Sequence, residues 1–400
     1  MKTDHFARVR VLIAASAVAL AVPMASQGPQ PAAGTPEFKK SPQVFEAAAT
    51  VGVTLVDLDG DKDADAVISN FGESQVLLND GNGHFTESWR GPTVHGLAVG
   101  DIDGDGDVDL LLVPFNERRC QIYLNNGRGT FQNADRDFGE DPKENFLSLR
   151  LVDVDHDGDL DAINSGIDGR SVVWLNDGRG RFTRGDLAVP PDAAFGDLTG
   201  DGFADVLTRE SEQQLVLDGG NPRWAARTGD RGFRVYVNDR QGRFTRFAFL
   251  PVAELVRGQP LWTWFADVDH DGDVDVIYTD GANRPLAAGV LLNDGTGRLS
   301  EGQKLAPVTM GKVCTGDLNN DGALDLVITN WGQPAQLWMN DGKGKFVDGG
   351  RVGDRFNSQG CAVADLDRDG DQDLFISDYH QGNTSTWVNQ LMERRKAPRP

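Results

Sequence analysis

The chain has 400 residues, of which 61 are acidic and 39 basic, for a net charge of −22. That balance excludes a nucleic-acid backbone as partner, because phosphate affinity is carried by Lys and Arg. With 39% hydrophobic residues and 48 glycines the composition suits a turn-rich folded protein, not an acidic disordered chain.

Taken from the start, Lys2, Arg8 and Arg10 precede the apolar run VLIAASAVALAV, and small residues follow at Ala25 and Ser26. This is the layout of a secretory signal peptide over residues 1–26, with an uncleaved anchor as the alternative. The apolar run is short for a bilayer crossing, so no membrane span is expected after signal removal. The expected location is secreted, periplasmic or cell-surface. Residues 27–34 read as a flexible lead-in. Only Cys120, Cys314 and Cys361 follow, an odd number that rules out a fully paired framework. Cys314 and Cys361 occupy matching places before successive acidic segments, where they either pair or remain buried thiols.

A repeat then fills the chain. Acidic segments begin at Asp57 (DLDGDKDAD), Asp101 (DIDGDGDVD), Asp153 (DVDHDGDLD), Asp197 (DLTGDGFAD), Asp267 (DVDHDGDVD), Asp317 (DLNNDGALD) and Asp365 (DLDRDGDQD). Their starts lie 44, 52, 44, 70, 50 and 48 residues apart, the spacing of an array of one supersecondary unit. Each runs into a short β-branched or apolar stretch such as AVISN or LVITN, too short and too alternating for a helix. Downstream comes a second landmark, as in VLLNDGNGHF (76–85) and LWMNDGKGKF (337–346), truncated to TWVNQ in the last copy. Asn-Asp-Gly between apolar segments signals a tight hairpin. Each unit is thus a four-stranded antiparallel sheet, and seven arranged radially predict an all-β, seven-bladed propeller over residues 35–390. The last unit stops where its fourth strand should begin, and the charged tail 391–400 cannot supply one. Residues 35–46 are expected to close the ring by joining the last blade.

The aspartates alternate as DxDxDGxxD. Side-chain oxygens at the first, third, fifth and ninth places, with a main-chain carbonyl at the seventh, can surround one hard cation, and their number and flexibility suit Ca2+. The ligand set is Asp57, Asp59, Asp61, Asp63 and Asp65 in the first loop, and Asp101, Asp103, Asp105, Asp107 and Asp109 in the second. It continues with Asp153, Asp155, Asp157, Asp159 and Asp161, then Asp197, Thr199, Asp201, Phe203 and Asp205. The last three loops supply Asp267, Asp269, Asp271, Asp273 and Asp275; Asp317, Asn319, Asp321, Ala323 and Asp325; and Asp365, Asp367, Asp369, Asp371 and Asp373. Up to seven Ca2+ ions follow, with weaker binding at the loops starting at Asp57, Asp197 and Asp317, where Lys62, Thr199 and Asn319 break the pattern. An EF-hand would carry an acid at the twelfth place. The residues there are Ile68, Leu112, Asn164, Thr208, Tyr278, Ile328 and Ile376.

This repeat resembles the FG-GAP or VCBS type of integrin α-subunit heads, bacterial exported propellers and a fungal seven-bladed lectin. The resemblance covers nearly all of the chain after the leader. It implies a calcium-stabilised propeller outside the cytoplasm, often serving in adhesion or carbohydrate recognition, and carries over the calcium ligands loop by loop. It carries over no ligand pocket, since one fold hosts many activities.

Topology puts acidic loops and hairpin turns on one face and the dissimilar connecting loops on the other, where recognition usually resides. Candidates on that second face are Trp89, Arg90, Arg118, Arg119, Trp224, Arg284, Trp331, Tyr379 and His380, aromatic surfaces and guanidinium forks suited to a sugar or an anionic polysaccharide. Trp174, Trp338, Trp387, Tyr123 and Tyr236 fall at equivalent third-strand places and read as packing between blades. The expected function is a binding module for glycan or a cell-surface protein. The alternatives are a polysaccharide-modifying lyase or dehydratase and an assembly scaffold. No HExxH or GxSxG motif is present, and His156 and His270 belong to acidic loops.

Overall fold

The computed structural model describes residues 35–45, 50–70, 72–115, 117, 119–139, 146–166, 171–186, 189, 193–218, 221–252, 261–280, 286–309, 311–354, 358–379 and 384–392. The proposed leader and the lead-in lie outside these residues, as does the tail beyond residue 392. Among the described residues twenty-eight strands form seven four-stranded antiparallel sheets. Blade one is β2 (Thr50–Val56), β3 (Asp65–Asn70), β4 (Ser74–Asn79) and β5 (Phe85–Gly91). Blade two is β6 (Val94–Gly100), β7 (Asp109–Pro114), β8 (Gln121–Asn125) and β9 (Phe131–Asn133). Blades three and four comprise β10 (Phe146–Val152) to β13 (Thr183–Arg184) and β14 (Ala194–Gly196) to β17 (Phe244–Pro251). Blades five and six comprise β18 (Leu261–Ala266) to β21 (Leu299–Val308) and β22 (Val313–Gly316) to β25 (Phe346–Val352).

Blade seven has β26 (Ser358–Ala364), β27 (Asp373–Asp378) and β28 (Ser385–Asn389) from the end of the chain, and takes its fourth strand from β1 (Phe38–Lys40). β1 lies antiparallel to β28, with Phe38 opposite Asn389 and Lys40 opposite Trp387. The closing strand falls inside the segment the sequence nominated. The inner strands β2 and β26 pack side by side, completing the ring.

The apolar core is a set of layers between blades. One layer joins Val53, Ile68 and Phe85 of blade one to Leu366 and Phe375 of blade seven, and another joins Leu111 and Ile122 of blade two to Leu149 and Trp174 of blade three. Because each sheet is covered on both faces, second strands such as LLLV of β7 are buried throughout instead of half-buried. Trp174, Trp338 and Tyr236 are each only 8% exposed, in the packing role the sequence assigned them.

Cysteines 314 and 361 pair in a disulfide, their Cα atoms 6.0 Å apart, linking the inner strands of blades six and seven. Cys120 is a buried thiol that accepts from the Asn164 amide at 3.0 Å.

The asparagine of the hairpin landmark does more than make a turn. In all seven blades its side-chain amide donates to the carbonyl of the second loop residue of the preceding blade, at 2.7–3.1 Å. The acceptors are Leu366, Leu58, Ile102, Val154, Leu198, Val268 and Leu318, for Asn79, Asn125, Asn176, Asn238, Asn293, Asn340 and Asn389. The same amide donates to its own blade's loop, as Asn125 does to Val108 at 3.1 Å. These bonds stitch neighbouring blades around the whole circle. Truncating Asn125 to Ala removes the side-chain donor from Val108 O and from Leu58 O, of which Leu58 O keeps the Gly129 N–H, and a lost buried partner costs about 1–3 kcal/mol. Chemical denaturation of Asn125→Ala should show a loss of roughly 1–3 kcal/mol with an unchanged fold by circular dichroism.

Candidate metal centres

Each acidic loop joins the first strand of its blade to the second, and its shape follows from its own carboxylates. The first aspartate accepts from the backbone N–H of the sixth residue in all seven loops, at 2.8–3.1 Å. The fifth accepts from the N–H of the seventh. This winding needs positive φ at the sixth place, met by Gly106 (93°), Gly158 (97°) and Gly370 (96°), and by Lys62 at 75°. A second positive φ at the fourth place, as at His156 (62°) and His270 (63°), was not foreseen from the sequence.

The ninth aspartate is the keystone. Asp65, Asp109, Asp161, Asp205, Asp275, Asp325 and Asp373 are all fully buried. One oxygen accepts from the N–H of the second loop residue, as Ile102 donates to Asp109 at 3.0 Å. The other accepts from the landmark asparagine's backbone, as Asn125 donates to Asp109 at 2.8 Å. Burial nonetheless dominates, pushing Asp109 and Asp161 up to about 7 and Asp373 up to about 8. The third-place carboxyls Asp59, Asp103, Asp155 and Asp269 are also raised, first by burial and then by the charge of the fifth-place acid beside them.

Five loops bring three carboxylate oxygens within 4.8 Å of one another: Asp57, Asp59 and Asp61; Asp101, Asp103 and Asp109; Asp153, Asp155 and Asp161; Asp267, Asp269 and Asp271; and Asp365, Asp367 and Asp373. These clusters could hold metal ions. Their donor sets are all hard oxygen, and the buried oxygens Asp103 Oδ1, Asp153 Oδ1, Asp155 Oδ1 and Asp369 Oδ2 have no hydrogen-bond partner within the protein. The two remaining loops differ where the sequence does. Thr199 Oγ1 donates to Asp205 at 3.0 Å, and Asn319 turns its amide N–H toward Asp321 at 2.9 Å, so each replaces a ligand oxygen with a donor to a neighbour. The loop from Asp57, grouped with these by sequence, does assemble a cluster.

At the seventh place the side chain turns toward the hairpin turn of its own blade. A Cβ on Gly127 would lie 2.8 Å from Asp107 Oδ2, and one on Gly295 2.5 Å from Asp273 Oδ2, so the turn glycine admits this close approach. Asp63 pairs with Arg368 of the neighbouring blade, a contact with no signal in the repeat pattern. Both kinds of loop share one face, since Gly129 N–H donates to Leu58 O at 3.0 Å across the first seam.

On the opposite face the candidates scatter. The Trp89 ring packs 5.2 Å from Tyr123 and 5.7 Å from Phe131, spent on the seam between blades one and two. Arg90 is held by Glu87 and Glu73. Arg119 is exposed beside β8. Trp224 is placed by its backbone, opposite Leu215 in a hairpin that lengthens β15 (Asp205–Asp218) and β16 (Asn221–Asn238) beyond other blades. Arg118, Arg284 and His380 lie outside the described residues. Trp331 and Tyr379 come together, ring centroids 5.6 Å apart, across blades six and seven, with Tyr379 37% exposed. His95 stacks on Phe115 at 4.1 Å, and burial pushes its imidazole below the ordinary histidine range.

Comparison with known families matches FG-GAP-like repeats at residues 57–112, 101–164, 153–208, 267–328 and 317–376. No curated protein matches. Among solved structures, an Agrocybe aegerita lectin described for specific recognition of non-reducing terminal N-acetylglucosamine is 23% identical. It aligns over 74% of this chain and 78% of its own, with a TM-score of 0.51. BBS1N in complex with ARL6DN is 12% identical over 89% of this chain and 97% of its own, with a TM-score of 0.53.

Proposed function

Because the chain belongs to the family of FG-GAP-like repeat proteins, we propose that it is a calcium-stabilised extracellular binding module. It recognises glycan or a surface protein through the face opposite the acidic loops. Ca2+ is the ion the flexible all-oxygen loops suit, and when bound it would neutralise carboxylates that otherwise crowd and partly protonate. Asp101, Asp103 and Asp109, with their counterparts in the other clusters, would hold it. The disulfide favours an oxidising compartment. No helix among the described residues is long and apolar enough to cross a membrane.

The observation that carries the binding face is the Trp331–Tyr379 pair. Two aromatic rings from adjacent blades, on loops set by a rigid ring, offer a platform for the apolar face of a pyranose or for a partner's side chain. That the similar Agrocybe aegerita lectin is described for recognition of non-reducing terminal N-acetylglucosamine supports a sugar as the ligand class.

A glycan array and a surface-protein pull-down, each run with Ca2+ and with EDTA, test the reading. Retention of a ligand in Ca2+, weakened about fivefold or more by Trp331→Ala or Tyr379→Ala, is expected from the size of aromatic contacts. A ligand retained equally by both variants would move the site elsewhere. No retained ligand would end the proposal, and release of unsaturated products would favour the lyase alternative.

A further inference from the structure

Counted from the first aspartate of each acidic loop, the fifteenth residue stands beyond the second strand, on the face opposite those loops, except in blade four, where β15 runs on through Asp218. It is Phe71, Phe115, Trp331 and Tyr379 in blades one, two, six and seven, and Ile167, Ser211 and Gly281 in blades three, five and four taken in chain order as three, four and five. Aromatic residues make up 8% of the chain, so four out of seven at one place, all in consecutive blades of the closed ring, mark a surface rather than scatter. The backbone sets two of them alike: Phe115 N–H donates to Thr93 O and Trp331 N–H donates to Thr309 O, both at 2.8 Å. Phe115 is 41% exposed and Tyr379 37%, so the rings stay at the surface instead of filling a seam. His95 stacks on Phe115 with ring centroids 4.1 Å apart, which makes a second flat platform at the same level of the ring as the Trp331–Tyr379 pair. Phe71 lies outside the described residues, and the site consists of the other three rings with His95.

We propose that this arc binds a linear, uncharged glycan along its length, with separate sugars of one chain on the Trp331–Tyr379 and the Phe115–His95 platforms. The inference rests on the glycan reading above and extends it from one sugar to a chain. Blade one stands between Tyr379 and Phe115, tied to blade seven on this face by the bond from Thr384 Oγ1 to Thr50 Oγ1 at 3.0 Å. A single pyranose on one platform therefore does not reach the other, whereas a chain does. The C–H face of a pyranose lies flat on an aromatic ring while its hydroxyls stay in water, so each stacked unit adds contact without burying unpaired polar groups. Once one unit is seated, the linkage holds the rest of the chain near the second platform, which raises affinity further. The net charge of −22 opposes a polyanion, and Arg90 of blade one is already paired with Glu87 and Glu73, which leaves an uncharged chain as the fitting ligand.

The test uses the full chain in Ca2+, titrated by calorimetry with cello-, malto- and laminari-oligosaccharides of two to seven units. In at least one series affinity should climb about fivefold or more from the shortest to the longest, the scale of one added aromatic contact. Phe115→Ala should erase that climb, Phe115→Tyr, which keeps a ring, should retain it, and Trp331→Ala should weaken every length. Phe115→Leu fills similar space without a ring and gives the same answer if Phe115→Ala fails to fold. Affinity that is flat with length, a climb that survives loss of the Phe115 ring, or no binding by any of the three series would each overturn the arc. Flat affinity would leave the one-platform glycan reading standing, so the two fail separately.

Discussion

Calorimetric melting in EDTA should fall roughly 10–20 °C below melting in millimolar Ca2+, with the gap widening from pH 5 to pH 8. An ion present at a hundred times its dissociation constant adds about 2.7 kcal/mol per site, and at an unfolding entropy of about 2.1 cal/mol/K per residue each kcal/mol moves the melting temperature of a propeller of roughly 350 residues by about 1.4 °C. Five clusters are placed to contribute. The pH dependence has a definite sign. Burial lifts Asp65, Asp109, Asp161 and Asp325 to about 7 and Asp275 to about 6, above their ordinary value of 3.8. Without metal the folded state therefore holds more protons than the unfolded one between about pH 4 and pH 7, and its stability falls as pH rises through that window. A bound ion takes the proton's place, so the metal-loaded protein is spared the loss. Equal melting in Ca2+ and EDTA at pH 8, or a gap that narrows as pH rises, would contradict this account.

Starting the chain at residue 42 should produce the other large loss. The cut removes the β1–β28 ladder, the bond from Ser41 N to Thr386 O (2.9 Å), and the bond from Gln390 N to Glu37 O (2.8 Å). It also withdraws Phe38 from the layer containing Cys314 and Trp387. The exposed edge of β28 becomes a template for pairing with another chain, so concentration-dependent association should accompany a fall of roughly 10 °C or more in melting temperature. Phe38→Ala keeps the ladder and should cost less, about 2–3 kcal/mol, because the ring is only half-buried. Light scattering and melting of the two variants separate the ladder from the ring. A shortened chain that stays monomeric and melts like the full one would show that the ring does not need this strand.

The binding face was the least legible part. Nine residues were nominated for it, and the structure draws Trp331 and Tyr379 together while Trp89 fills a seam and Arg90 is neutralised by two glutamates. Nothing in a loop's composition says whether its aromatic side chain points to solvent or into the gap beside the next blade. That choice depends on the neighbour's shape. The role of the landmark asparagine did have a trace. Asn389 is kept in the last repeat although no hairpin turn follows it in sequence, which marks a duty beyond turning the chain.

By itself the sequence determined the repeat, its count, the strand order within a blade, the closing strand and the crowding of acids in each loop. These rest on local chemistry: alternation, turn residues and charges at fixed spacing repeat with the chain and need no knowledge of neighbours. Only the tertiary structure decided what happens across the seams. There the asparagine amides reach the preceding blade, Trp89 packs onto Tyr123 and Phe131, and Cys314 meets Cys361. Those contacts join residues from separate sheets whose facing positions are set by packing between blades, a distance that no spacing along the chain encodes.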